Sequence, residues 1–145
     1  MSEVTDVARV GVDTFGAADW DRFRGVVAPG AVYEEYATGR RVEGVDAIIE
    51  VNKGWKQGFP DASGTITNSL ESGNTAVLEI TWQGTQSGEM VTPTGQTLPP
   101  SGKPVTVKAV QLVTVEGGKV TEIRQYFDLM GLLAQIGAVP APTSA

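Results

Sequence analysis

The sequence predicts an α+β domain: a curved antiparallel sheet with helices packed on one face. Two observations carry this reading. Helical spacing of apolar residues dominates the chain up to Pro60, and from residue 64 it gives way to strand-type runs separated by turn signals. A sheet that must cover three helices has to curve, and the space between sheet and helices is a natural pocket.

The elements follow in order. Val4, Val7, Ala8, Val12 and Phe15 recur at helical spacing over residues 3–16, interrupted by Gly11. Asp19 is placed to cap a second short helix holding Trp20 and Phe23, which ends at a Pro29-Gly30 turn. Residues 31–37, AVYEEYA, read as a short strand. Gly44 opens a third helix whose Val45, Ile48, Ile49, Asn52, Trp55 and Phe59 share one side, and Pro60 stops it. Strands follow at 64–71 and 75–86, joined by Ser72-Gly73-Asn74. The second sets Leu78, Ile80 and Trp82 against Val77, Glu79 and Thr81. Residues 88–104 are rich in Pro and Gly, a length of loop that serves as lid, binding loop or interface. VTVKAVQLVTV at 105–115 is the strongest strand, and Gly117-Gly118 turns it into the stretch 119–137. There a strand ends on Asp128 and breaks into a short helix carrying Leu129, Leu132, Leu133 and Ile136, closed by Gly137. One domain over 1–137 and a flexible Pro/Ala-rich tail over 138–145 complete the chain.

Composition narrows the chemistry. With no Cys and no His, disulfides, Ser-His-Asp relays and thiolate or imidazole metal sites are ruled out. Carboxylates are then the main acid/base groups near neutral pH, with shifted Lys or Tyr as exceptions. No metal or organic cofactor is expected. A net charge of −6, with Arg40-Arg41 the only adjacent basic pair, argues against nucleic acid or an anionic membrane as partner. MSEVTDVARV lacks a signal pattern and no apolar run reaches membrane-spanning length, so a cytoplasmic location is expected.

Asp128 is the first candidate for chemistry. In an apolar pocket beside Tyr126 and Phe127 its carboxyl would both take and give a proton. Immediately before an apolar helix, it is equally a preferred N-cap. Glu34 and Glu35 point to opposite sides of a strand, so one faces inward unless the strand is an irregular, solvated edge. Gln111 shares a face with Val107, Ala109 and Val113, and needs a partner there or lies at a dimer interface. Arg124 either pairs with a glutamate or lies on the surface. Trp55, Trp82, Phe59 and Tyr33 are pocket walls or simply core.

The C-terminal segments WQGTQSG, LPPSGKPV, EGGKVTEIRQYFD and LLAQIG resemble the SnoaL-like polyketide cyclase group, also called ester cyclases. The order of elements is similar to the nuclear transport factor 2-like superfamily. This implies a cystatin-like cone, with three N-terminal helices on the concave face of the sheet and a short C-terminal helix. The resemblance implies Asp128 as acid/base for an aldol closure, while the family's histidine falls on Gln86. A second relative of the same fold, ketosteroid isomerase, implies Glu35 as base and Gln111 at the oxyanion-donor position; its first-helix tyrosine falls near Gly11. The expected activity is cyclisation or isomerisation of an apolar, carbonyl-bearing, polyketide-like molecule. Gln111, Tyr126, Gln86, Trp82, Trp55, Tyr33 and Phe59 would contact it. The alternatives are a non-catalytic small-molecule-binding module, and a dimerising or assembly domain; a dimer or tetramer through the sheet face is expected.

Overall fold

The computed structural model describes residues 3–92 and 94–139. Two helices, α1 (Glu3–Ala17) and α2 (Trp20–Val26), lead into strand β1 (Val27–Glu35) and the short β2 (Arg40–Glu43). Helix α3 (Val45–Gly58) follows, then β3 (Ser63–Ser72) and β4 (Thr75–Thr85). A small hairpin, β5 (Met90–Val91) and β6 (Thr97–Leu98), precedes β7 (Pro104–Glu116), β8 (Lys119–Phe127) and α4 (Leu129–Gln135). The curved six-stranded sheet has the order β2-β1-β8-β7-β4-β3, and the helices complete an α+β fold.

The expected architecture is present, with three refinements. The β1–β8 pair is parallel, within a sheet otherwise antiparallel. The first strand starts at Val27 and runs through Pro29-Gly30, where its register against β8 shifts. Proline has no N–H for the ladder, so a bulge there absorbs what reads from sequence as a turn. The long loop also folds back on itself as β5 and β6. Residues 140–145 of the expected tail lie outside the described residues.

Alternation along each strand decides the core. From β4, Ala76, Leu78 and Ile80 turn inward and are buried; from β1, Ala31, Tyr33 and Glu35 do the same. They meet Ala8 and Val12 of α1 and Ile48 and Ile49 of α3. The larger aliphatic side chains among them, Leu78, Ile80, Val12, Ile48 and Ile49, each contribute about 1.5–3 kcal/mol by leaving water. A second cluster, built on Phe59, Met90, Val105, Leu132 and Ile136, joins α4 and the hairpin to β7. The amide of Gln135 bonds both the N–H and the carbonyl of Thr106, at 2.8 and 2.9 Å, and so fixes α4 against β7.

Two polar contacts shape the turn after α3. Lys56 Nζ donates to the carbonyls of Gly16, Pro60 and Ala62 and sits 5.2 Å above the Phe15 ring; partial burial lowers its pKa. Asp61 accepts the Thr85 N–H at 2.7 Å, and that bond holds its carboxyl below the ordinary 3.8. A depressed carboxylate pKa stabilises the fold above the unfolded-chain value and ceases to do so as pH falls through the folded value. Asp61→Asn should therefore lower the urea midpoint at neutral pH, with the gap to the parent protein closing as pH falls below 3.8 and through the lowered folded-state value. A gap that persists in acid would mean the bond matters through packing alone.

Candidate functional site

Beneath the helices, the inward faces of β1, β4, β7 and β8 leave a cavity of about 120 Å³. Its walls are aromatic and aliphatic: Phe15 and Phe23 from the first two helices, Trp55 and Phe59 from α3 and its end, Trp82 from β4, Phe127 and Leu132 from the C-terminal stretch. The polar side chains are Tyr33 and four neutral amides, Asn52, Gln83, Gln111 and Gln125. Among the described residues, no Asp, Glu, Lys or Arg lines it. None of those residues forms a group of three or more carboxylates able to hold a metal ion, and no helix among them is long and apolar enough to cross a membrane.

A hydrogen-bonded chain runs from this cavity to a buried carboxylate. Gln111 Nε2 donates to Gln125 Oε1 at 2.9 Å, and Gln125 Nε2 donates to the Tyr33 hydroxyl at 3.0 Å. Tyr33 in turn donates to Glu35 Oε2 at 2.7 Å. That same oxygen accepts the Trp55 indole N–H at 2.9 Å, while Oε1 accepts from Thr38 at 2.7 Å and from Arg40 at 2.9 Å. Glu35 is fully buried, so these four donors replace the water it lost on folding. Burial, with the Glu35 charge beside it, raises the Tyr33 pKa well above 10.0, so its phenolate is strongly disfavoured.

The adjacent glutamates are thus separated by strand alternation, with Glu35 inward. Gln111 faces the cavity, as do Tyr33, Trp55, Phe59 and Trp82. Arg124 pairs with Glu122 at 3.4 Å.

Three expected contacts are corrected. Asp128 is exposed and is not part of the cavity wall; its Oδ1 accepts the Gly131 N–H at 2.8 Å, which makes it the N-cap of α4. Gly131 leaves room for this cap, since a Cβ there would lie 2.3 Å from Asp128 Oδ2. The strand ends at Phe127, and the chain's turn into α4 swings the carboxyl toward the helix amides. Tyr126 points to the outer face, 42% exposed, and stacks on Tyr36 with ring centroids 4.5 Å apart. Gln86 is fully buried away from the cavity, where Nε2 donates to the carbonyls of Gly88 and Pro99 and Oε1 accepts the Ser101 N–H. It clasps the two ends of the hairpin loop. Asp128→Ala should cost about 1 kcal/mol of stability, the usual worth of a cap, and leave ligand binding in the cavity unchanged. Weakened binding would return Asp128 to the site.

Gln125, Thr38 and Arg40 complete the network and were not singled out in the sequence. A signal for Gln125 existed: it shares parity with Ile123 and Phe127, and pairs across the ladder with Gln111. Thr38 and Arg40 reach Glu35 only because the chain turns back into β2, a strand with little apolar patterning to announce it.

A curved sheet closed over helices, with an apolar cavity between, defines a protein of the nuclear transport factor 2-like, ketosteroid isomerase-like fold. Residues 5–136 match the SnoaL-like polyketide cyclase family, and the chain belongs to it. No curated protein matches by sequence. Among solved structures, a candidate SnoaL-like polyketide cyclase from Jannaschia sp. CCS1 is 28% identical over 95% of this chain and 94% of its own, with a TM-score of 0.84. IdmH, a candidate polyketide cyclase from Streptomyces antibioticus, is 22% identical over 94% of this chain and 99% of its own, with a TM-score of 0.80. A protein of ketosteroid isomerase-like fold from Catenulispora acidiphila, bound to trimethylamine, is 18% identical over 92% of this chain and 93% of its own, with a TM-score of 0.77. At such identities the latter two share the fold. Family membership supports a function of cyclase or isomerase type.

Proposed function

We propose that the protein is a cofactor-independent cyclase or isomerase for an apolar, carbonyl-bearing, polyketide-like molecule, with Glu35 as the carboxylate that handles the proton. The observation that carries this reading is the unbroken chain Gln111–Gln125–Tyr33–Glu35 leading out of an apolar cavity. In the proposed step the substrate carbonyl oxygen accepts N–H donors of Gln111 and Gln125. The proton on the adjacent carbon passes to the Tyr33 oxygen as the Tyr33 proton passes to Glu35 Oε2. Because the Tyr33 phenolate is disfavoured, the two transfers are coupled and no free phenolate forms. The enolate carbon then attacks a second carbonyl, and the resulting alkoxide regains the proton by the reverse path, so the enzyme ends as it began. In a dry cavity, one preorganised donor to the enolate oxygen is worth about 2.7–4 kcal/mol.

Turnover of a model diketone, followed by loss of its carbonyl absorbance, tests the reading. Glu35→Gln and Tyr33→Phe should each abolish it, whereas Asp128→Asn should not. Activity that survives Glu35→Gln would defeat the proposal.

A non-catalytic binding module is the second reading, and one observation favours it: both oxygens of Glu35 are already taken by donors. Native mass spectrometry that finds a retained, chemically unchanged apolar molecule, with no turnover of any carbonyl compound, would decide for it. Either role is compatible with pairing of two copies through the outer sheet face, where Leu70, Tyr36 and Tyr126 are exposed. Light scattering should then give a dimer that Tyr126→Lys dissociates, and a concentrated parent monomer would remove the idea.

A further inference from the structure

A second concavity lies on the far side of Trp55, a groove of about 600 Å³ between α3, the β1–β2 turn and the β5–β6 hairpin. Thr38, Arg40, Gly54, Gln57, Met90 and Leu129 are among its walls. Trp55 is the one described residue that lines both spaces. Glu35 sits in the same partition, and its two oxygens divide between the compartments. Of the donors to Oε2, Tyr33 belongs to the cavity and Trp55 to the wall between, and the donors to Oε1, Thr38 and Arg40, belong to the groove.

Size makes this arrangement consequential. The inner cavity, about 120 Å³, is no larger than an apolar void of about 150 Å³ that a single benzene occupies. Pockets for drug-sized ligands run to about 300–1,000 Å³, a range that the groove reaches and the cavity does not. We propose that cavity and groove are two halves of one binding site, parted by the Trp55 ring, for a neutral, elongated molecule of more than one ring with hydrogen-bonding groups at its outer end. Neutrality follows from the walls. The cavity offers only amides and a phenol, which hold no ion, and in the groove Arg40 is already paired with Glu35 while Glu50 and Glu89 repel an anion.

Joining the halves requires the indole to swing out of the partition, where it packs edge-on to Phe127 and tilted to Phe59. That motion breaks the Trp55–Glu35 bond and removes one of the two donors on Oε2. A ligand long enough to part the wall thereby uncovers the oxygen that receives the proton. A ligand of one ring fills the cavity and leaves the latch shut. This deepens the proposed function, and rests on its reading of the cavity as the substrate site.

Two neutral carbonyl probes and one variant test it. Acetophenone has one ring and anthraquinone three. Gly54→Leu narrows the groove alone, since a Cβ at Gly54 meets nothing within 4 Å, and leucine favours the helix. The Trp55 indole N–H resonance, assigned by its disappearance in Trp55→Phe, reports the latch. Anthraquinone should shift that resonance and lose about tenfold or more in affinity in Gly54→Leu, while acetophenone should bind both proteins equally and leave the resonance in place. Anthraquinone that fails to bind the parent protein, binds without moving the resonance, or is indifferent to Gly54→Leu overturns the two-compartment site. If acetophenone also fails to bind, the cavity itself is not the substrate site, and the proposed function falls with it.

Discussion

Glu35→Ala should destabilise the protein by about 2–6 kcal/mol, at about 1–3 kcal/mol for each of the two inward donors, Tyr33 and Trp55, left without an acceptor. The loss has two sources. A fully buried side chain is deleted, and four donors lose their acceptor together. They are not equally affected. Arg40, with its side chain 41% exposed, can turn to water, and the Thr38 hydroxyl can fall back on the Glu35 backbone carbonyl. Tyr33 is buried and the Trp55 indole faces inward, so these two carry most of the penalty. Glu35→Gln separates the parts. Its new NH2 must face either Trp55 and Tyr33 or Arg40 and Thr38; hydroxyls can rotate to accept, but indole and guanidinium cannot. The amide should therefore settle toward Arg40, which yields, at a cost of about 1–3 kcal/mol. Urea denaturation of the three proteins measures both differences. Equal, small losses would mean that the network is not what holds this corner.

The second large effect is expected at Gln86. Its amide makes three side-chain hydrogen bonds to the backbone of one loop, two through Nε2 and one through Oε1, at a position without solvent access. Gln86→Ala leaves those backbone groups unpaired at about 1–3 kcal/mol for each that water does not reach, so a total loss of about 3 kcal/mol is expected. The damage should be local. Gly88, just beyond the clasp, lies against α3 so closely that a Cβ would fall 1.8 Å from the Gln57 carbonyl oxygen. Freed of Gln86, the hairpin should lift from α3 and withdraw Met90 from its cluster. Limited proteolysis should cut within 87–102 before any other segment, and cutting first elsewhere would sink this account. Glutamine suits this position, which asks for one acceptor and two donors, because an amide supplies both at any pH.

How much of this was legible differs from residue to residue. Alternation in TAVLEITWQGTQ set Leu78, Ile80 and Trp82 on one side, and the structure turns that side inward, because one face of a sheet packed under helices enforces its own period. The same rule placed Gln111 in the cavity and split Glu34 from Glu35. Asp128 shows where pattern runs out. A carboxylate after a strand and before an apolar helix satisfies a pocket reading and a capping reading alike, and only the backbone angle at the junction separates them. Gln86 was beyond reach for another reason: its partners lie 2 to 15 positions away in a loop whose path no periodicity encodes. Arg40 entered only as half of the one adjacent basic pair, because a four-residue strand gives too few positions for a period to show its direction.

The parallel seam between β1 and β8 has a kinetic consequence. Tyr33 and Gln125, joined by a hydrogen bond, are 92 positions apart along the chain. The β3–β4 and β7–β8 hairpins can form from neighbours, but this seam closes only after the loop-closure entropy of the long stretch between β1 and β8 has been spent. During synthesis, β1 waits without its partner until the last strand has left the ribosome. The hydrogen-bonded chain from the cavity to Glu35 and tertiary closure therefore appear in the same late event, and nascent chains that stop short of β8 hold a half-built cavity with an open strand edge.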